Sequence, residues 1–503
     1  IMKENIPVTS DITEACLKNS WNLLPEYVKE KLGGKLEDSS ESNPRKKDLS
    51  FKLASQFVDL KLKDKNLARK ILTENTVSLF FSGMKNITVL KYATGVGKSL
   101  MAIACLERYL FYAKNVSSRI LIVCKETNHI QNWKNLMLEH GISTDRYDFC
   151  CYPSIGKYAA HDFIILDECH AVTANYLSKF KVHPESTKKI IGLTATLPAE
   201  KELLLKKFFE KQIKGALPSI YQAIKLDMKQ AIQIGILPEP RINIHRIFLE
   251  ELDDVSILLP VHYPSYPGSG DGPNTTLTLN FDVSDESAKT INLVGSGNTI
   301  KLASIAKLGC VDKPVKVRLN MSAKAWYKIL DAKVEKLKDS YDITGSKGVK
   351  NLWLQAASER KRTITSFKTK QARLIREHYK NSRSITFCGS IKQAEEIAHE
   401  MTPITSKTSK AIRKQLIEDF NAMKSNELIS VKMLREGMNL KKISVGNIVQ
   451  LDSSTLSFIQ MLGRSFRSEL PIVNIFVVMG TRDEDYLEGV IDEIPRKFIH
   501  YVN

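Results

Sequence analysis

The segment Val89–Ser99 constrains this chain most. Val89-Leu-Lys-Tyr92 reads as a short buried strand, Ala93-Thr-Gly-Val-Gly-Lys-Ser99 as a glycine loop and Leu100–Leu110 as the apolar helix after it. That order demands a parallel α/β sheet, because the loop carries the chain from the carboxyl end of a strand into a covering helix. Gly95 and Gly97 free the backbone of Thr94, Gly95, Val96 and Gly97 to aim N–H groups at an anion. Lys98 then reaches the outer phosphates of a bound nucleotide, Ser99 can ligate Mg²⁺, and the helix N-terminus adds its dipole.

A second segment supplies what the loop lacks. Phe163-Ile-Ile-Leu166 reads as a buried strand delivering Asp167-Glu-Cys-His170 to its end. There the Asp167 carboxylate can hold the Mg²⁺ shell while Glu168 orients and deprotonates an attacking water. The two segments together predict a site that hydrolyses ATP with Mg²⁺.

The pattern around them sets the domains. At 503 residues the chain is too long for one core. Residues 1–60 suggest an N-terminal helical unit, broken by Gly33-Gly34 and a polar run. Over 61–240 the strands Val89–Tyr92, Arg119–Cys124, Tyr147–Tyr152, Phe163–Leu166 and Lys189–Leu193 alternate with helices, which predicts a parallel sheet with ligands at the carboxyl strand ends. Residues 241–503 form a second α/β domain, with strands at Arg241–Phe248, Ser384–Cys388, Glu427–Val431, Val445–Gln450 and Ile472–Val478. Between its first two strands lie a β-rich insertion of about 251–317, with a Gly/Pro/Ser-rich stretch, and a helical region from Ser322 to about Asn381. The second domain has no phosphate loop.

The formal net charge of +18 favours a polyanionic partner. Eight cysteines without a CxxC pair argue against zinc and against a disulfide framework. With neither a signal peptide nor a membrane-length apolar run, the expectation is a soluble, intracellular protein (cytoplasm or nucleoid), acting as a monomer or with a partner's help.

In the second domain Gln460-Met-Leu-Gly-Arg-Ser-Phe-Arg467 places Arg464 and Arg467 nearly one helical turn apart, two fixed cations of the type a transferring phosphoryl group needs. Here the chain resembles superfamily 2 helicases and translocases, from about Leu60 to Val478 apart from the β-rich insertion. Gly95, Lys98 and Ser99 match motif I, Asp167–His170 motif II in its DExH form, Leu193-Thr-Ala-Thr196 motif III, Glu436-Gly437 the centre of motif V, and Gln460–Arg467 motif VI.

The resemblance implies two RecA-like domains with ATP between them. It makes Glu168, Gln460, Arg464 and Arg467 catalytic, adds Gly437 to the nucleotide contacts, and gives Thr194, Thr196 and His170 the coupling of hydrolysis to movement. Nucleic-acid contacts would come from Lys125 and Thr127 in a motif Ia-like segment followed by Gln131 and Trp133, and from Tyr152, Ser154, Ser390 and Lys432. Val431 and Asn439 depart from motif V, where Thr or Ser and Asp are usual. Thr-Ala-Thr, Gln460 and the lack of a clear adenine-reading Gln motif favour DNA over RNA. The implied work is unwinding or branch migration of DNA; the rivals are a duplex translocase that separates no strands, an RNA helicase, and an ATP-gated nucleic-acid clamp.

Overall fold

The computed structural model describes residues 65–82, 87–113, 118–158, 161–179, 189–212, 221–261, 280–283, 315–431, 440, 442–451, 455–466 and 468–502. The helical unit expected over 1–60 lies outside them, as do Thr290–Val294, Lys432, Gly437 and Arg467.

The first lobe runs α1 (Lys65–Ser82), β1 (Ile87–Tyr92), α2 (Lys98–Ala113), β2 (Ile120–Cys124), α3 (Thr127–Glu139), β3 (Tyr147–Cys151), β4 (Phe163–Leu166), α4 (Ala174–Lys179), β5 (Lys189–Thr194), α5 (Ala199–Gln212), β6 (Tyr221–Leu226) and α6 (Met228–Gln233). Its strands pair in parallel in the order β3-β2-β4-β5-β1-β6. Strands β2 and β4 are buried along their whole length, because helices cover both faces of a parallel sheet.

The second lobe starts with β7 (Arg241–Ile247), then β8 (Val255–Val261), β9 (Asn280–Val283) and β10 (Val315–Met321), which pair in the order β8-β10-β9. Three helices follow: α7 (Ala323–Thr344), α8 (Lys347–Phe367) and α9 (Thr369–His378). The chain then continues through β11 (Ser384–Cys388), α10 (Ile391–Ala398), α11 (Lys410–Asn421), β12 (Glu427–Val431), β13 (Val445–Ile448), α12 (Thr455–Ser465), β14 (Ile472–Val478), α13 (Arg482–Ile491) and β15 (Ile499–Val502). Its main sheet is parallel in the order β12-β11-β13-β14-β7-β15. Counted within each lobe, both sheets have the order 3-2-4-5-1-6. The fold is α/β, with two RecA-like sheets.

A polar ladder fixes the second sheet's register. Asn243 of β7 faces Asn474 of β14, Asn474 faces Asn447 of β13, and Asn447 faces Thr386 of β11. Asn243 Nδ2 donates to Asn474 Oδ1 at 3.0 Å, Asn474 Nδ2 to Asn447 Oδ1 at 2.9 Å, and Asn447 Nδ2 to Thr386 Oγ1 at 3.1 Å. All four are buried. A slip of one residue would turn each amide onto an apolar surface and leave it unpaired, at roughly 1–3 kcal/mol per missing partner. The ladder thereby sets where β13 ends and α12 begins. Gly446 of β13 finishes the placement, since a Cβ there would overlap Ser465 of α12.

Candidate nucleotide site

Gly95 and Gly97 have φ of +90° and +107°, conformations that side-chain-bearing residues rarely adopt. A Cβ at Gly97 would meet nothing within 4 Å, so backbone conformation alone demands glycine there. Val96 is buried and anchors the loop. Lys98 opens α2, and its Nζ donates to the Tyr92 carbonyl at 2.9 Å and to the Ala93 carbonyl at 3.4 Å. Burial lowers the pKa of this ammonium; Glu168 and Asp167 oppose that, and Arg464 of the other lobe adds to it. Ser99 lies in the same first turn.

The Asp167 carboxylate is held from α3. Trp133 Nε1 donates to its Oδ2 at 3.0 Å, and His129 Nδ1 lies 3.4 Å from the same oxygen. Both side chains are buried. For His129 burial would lower the pKa, but the hydrogen bond and charge of Asp167, with Glu168, carry it above its ordinary value. Tyr152 is also buried, and its hydroxyl donates to the Asp167 carbonyl at 2.8 Å. Its side chain therefore braces the strand end.

Glu168 follows with φ 48°, ψ 52°, a left-handed conformation uncommon outside glycine and frequent at working sites. Its Oε2 is 3.2 Å from His170 Nδ1. Burial would raise the Glu168 pKa, yet His170, Lys98 and His129 outweigh it and hold the carboxyl at about 2. Thr194 Oγ1 donates to the Thr196 carbonyl at 2.5 Å, so its oxygen accepts from His170 Nδ1, 3.0 Å away. Glu168, His170, Thr194 and Thr196 thus form one connected path.

From the second lobe, α12 reaches the loop. Gly463 packs so closely on Thr94 that a Cβ at 463 would overlap Cβ and Cγ2 of the threonine. Gln460, one turn earlier, is buried, and its Nε2 has no hydrogen-bond partner among the described residues. Arg464 lies on the same helix and bears on the Lys98 charge.

The expected nucleic-acid residues are dispersed. Lys125 and Thr127 sit between β2 and the first turn of α3, and Ser154 follows β3, so all three lie at the carboxyl edge of the first sheet. Ser390 caps α10, its Oγ accepting from Gln393 N at 3.1 Å. Arg69 of α1 was not among the residues read from sequence; its Nη2 donates to the Gly95 carbonyl at 3.3 Å, and burial lowers its pKa.

The loop fits a polyphosphate, and Ser99 with Asp167 fits a divalent ion carried in with it. Mg²⁺ is commonly bound by one or two carboxylates together with phosphate and water, and Asp167 offers a donor of that type.

Residues 366–469 match the family of the helicase conserved C-terminal domain, a span that takes in β11, β12, β13 and α12. With the two RecA-like sheets, that match supports a superfamily 2 helicase. Among solved structures, the helicase domain of Pyrococcus furiosus Hef overlaps at a TM-score of 0.42 and 15% identity, over 82% of this chain and 97% of that one. S. cerevisiae Dbp5 bound to RNA and ADP BeF3 overlaps at 0.44 and 10%, over 89% and 95%. No curated protein sequence matches the chain. No helix among the described residues is long and apolar enough to cross a membrane.

Proposed function

We propose that this chain is an ATP-driven, DNA-directed motor of the superfamily 2 type that unwinds or branch-migrates DNA. The observation that carries the reading is the seating of Gly463 on Thr94, which brings α12 of one lobe onto the phosphate loop of the other. Residues from both lobes then face one cleft. Lys98 and the loop N–H groups bind the phosphates of ATP. Glu168, kept charged by its neighbours, orients the attacking water and takes its proton. Arg464, from the far wall, stabilises the spread charge of the transferring phosphoryl group, and the sequence motif assigns Arg467 to the same work. Ser99 and Asp167 would hold Mg²⁺, which when bound supplies positive charge to the phosphate oxygens.

Hydrolysis is relayed outward through His170 to Thr194 and Thr196, so that closing and opening the cleft shifts two backbone-gripping surfaces along a strand. The charge surplus fits a grip on phosphates with little sequence reading.

The test is the ATPase rate with single-stranded, duplex and forked DNA and with RNA as stimulants, followed by strand displacement on a fork. DNA should stimulate most, and the fork should separate. Stimulation by RNA alone would overturn the DNA assignment. Triplex displacement without fork opening would make the protein a duplex translocase, and no stimulation by any of the four would leave only a clamp.

A further inference from the structure

The hairpin of α7 and α8 projects from the second lobe: between Val334 and Ala356 no residue is buried. Its helices hold mainly each other. Tyr341 and Trp353 stack at 5.8 Å, Lys333 pairs with Glu359 at 3.2 Å, and Arg360 pairs with Asp331.

The two outer ridges differ in charge. On α7 the exposed acids Glu335, Asp339 and Asp342 follow at helical spacing, but exposed Lys336 and Lys338 lie among them, so this ridge carries both signs. On α8 the exposed residues Lys347, Asn351, Gln355, Ser358 and Arg362 follow at steps of four, four, three and four, which puts them on one line. Glu359 is the only carboxylate of α8, and it is paired with Lys333 of α7. Lys350, exposed beside this ridge, holds its ammonium 5.6 Å from the Tyr341 ring centre, and beyond the helix Lys370 and Arg373 of α9 are exposed too. The α8 ridge is thus cationic and rich in hydrogen-bond donors with no exposed acid of its own, while Lys370 beyond it is paired with the exposed Asp253 and the α7 ridge is mixed in charge.

We infer that the α8 ridge grips the phosphate backbone of a nucleic-acid duplex lying along the hairpin. This rests on the reading of the chain as a nucleic-acid motor and says which element holds the duplex arm. Cations interleaved with Asn, Gln and Ser are the side chains that contact phosphate and sugar without reading bases. A straight helix of 21 residues is roughly 31 Å long, about nine base-pair rises of 3.4 Å, so a rigid duplex can follow it end to end. The exposed charges of α7 largely cancel, so the α8 side is the one that attracts a polyanion.

The test uses the full chain with Lys347→Ser, Lys350→Ser and Arg362→Ser together, and measures affinity for blunt duplex, forked duplex and single-stranded oligonucleotide against KCl. The log–log salt slope on duplex should become shallower by about 0.9 for each phosphate that the variant no longer neutralises. The duplex concentration that half-stimulates ATP hydrolysis should rise more than tenfold, with hydrolysis in the absence of nucleic acid unchanged. Lys347→Arg with Lys350→Arg should keep the wild-type slope, and Glu335→Gln, Asp339→Asn and Asp342→Asn together should not weaken binding. If wild type binds duplex and the triple variant binds it with the same slope and affinity, the hairpin is not the grip while the motor reading stands. A loss confined to single strands would overturn the duplex assignment. If wild type binds no nucleic acid at any salt, the motor reading itself fails.

Discussion

The indole N–H of Trp133 donates to Oδ2 of Asp167 across 3.0 Å, tying the middle of α3 to the carboxyl end of β4. A carboxylate that must face a metal has rotational freedom to lose, and a buried donor removes it in advance. Hydrogen bonds to a charged group contribute about 1.5–3 kcal/mol. Trp133→Phe keeps most of the ring and deletes the donor. The Mg²⁺ concentration giving half-maximal ATP hydrolysis should rise about tenfold, in line with about 1.4 kcal/mol. An unshifted Mg²⁺ titration in a variant of normal melting temperature would show that Asp167 needs no such support.

The contact between Gly463 and Thr94 makes a different demand. Gly463→Ala adds a methyl group where the loop of the other lobe already sits, so the cleft should not close. Each lobe keeps its own sheet and hydrogen-bonded register, so melting should change far less than turnover. Turnover should fall at least a hundredfold, because misplaced catalytic groups forfeit the gain of orientation. Thr94→Gly added to Gly463→Ala removes both clashing atoms and should recover part of the rate. Failure of the pair to recover any rate would mean that the glycine serves the helix and not the seating.

How far these parts could be read in the sequence depends on what each one needs. The phosphate loop and Asp167–Glu168 are legible because their chemistry is local, a few consecutive residues after an apolar strand. The Gln460–Arg467 segment could be read as a cationic helix, but its seating on Thr94 belongs to the packing of the lobes. Trp133 and His129 reach Asp167 only because β2 lies beside β4, and no spacing along the chain encodes that neighbour. Strands β6 and β15 escape a sequence reading for another reason. Each is at a sheet edge, so Tyr221–Leu226 and Ile499–Val502 are partly exposed and lack the continuous apolar run that marks a central strand. Tyr152 shows the converse: it stands where a nucleic-acid contact is expected, yet its ring is buried and its hydroxyl serves Asp167.

Arg464 should act on turnover and hardly on binding. Its charge is felt at Lys98 of the other lobe, which fits the proposed role on the transferring phosphoryl group. Arginines placed this way have been worth about 10³–10⁵ in rate in other phosphoryl-transfer enzymes. Arg464→Ala should keep nucleotide affinity within a few-fold and lose kcat by a factor toward the lower end of that range if Arg467 shares the load. Equilibrium binding of a fluorescent ATP analogue beside steady-state kcat separates the two effects, and an unchanged kcat would remove Arg464 from the chemistry.

The buried His245 predicts how stability responds to acid. Burial lowers its pKa, and the hydrogen bond between its Nε2 and Asn474 Oδ1 at 3.1 Å only partly opposes that. Its ring is stacked on Phe476 at 5.0 Å, so the fold holds the neutral imidazole. The unfolded chain binds a proton on this side chain near its ordinary value of 6.5, whereas the folded chain does so only at lower pH. Below about pH 6.5 the unfolded state therefore binds more protons, and stability contributed by the neutral ring falls as pH falls. The limit is about 1.4 kcal/mol per pH unit between the unfolded and folded values. His245→Phe removes the titration while Asn474 Oδ1 still accepts from Asn243. Melting temperature measured from pH 7.5 to 5.0 should drop more steeply for wild type than for the variant, and parallel curves would mean that His245 takes up its proton in the folded sheet as readily as in the unfolded chain.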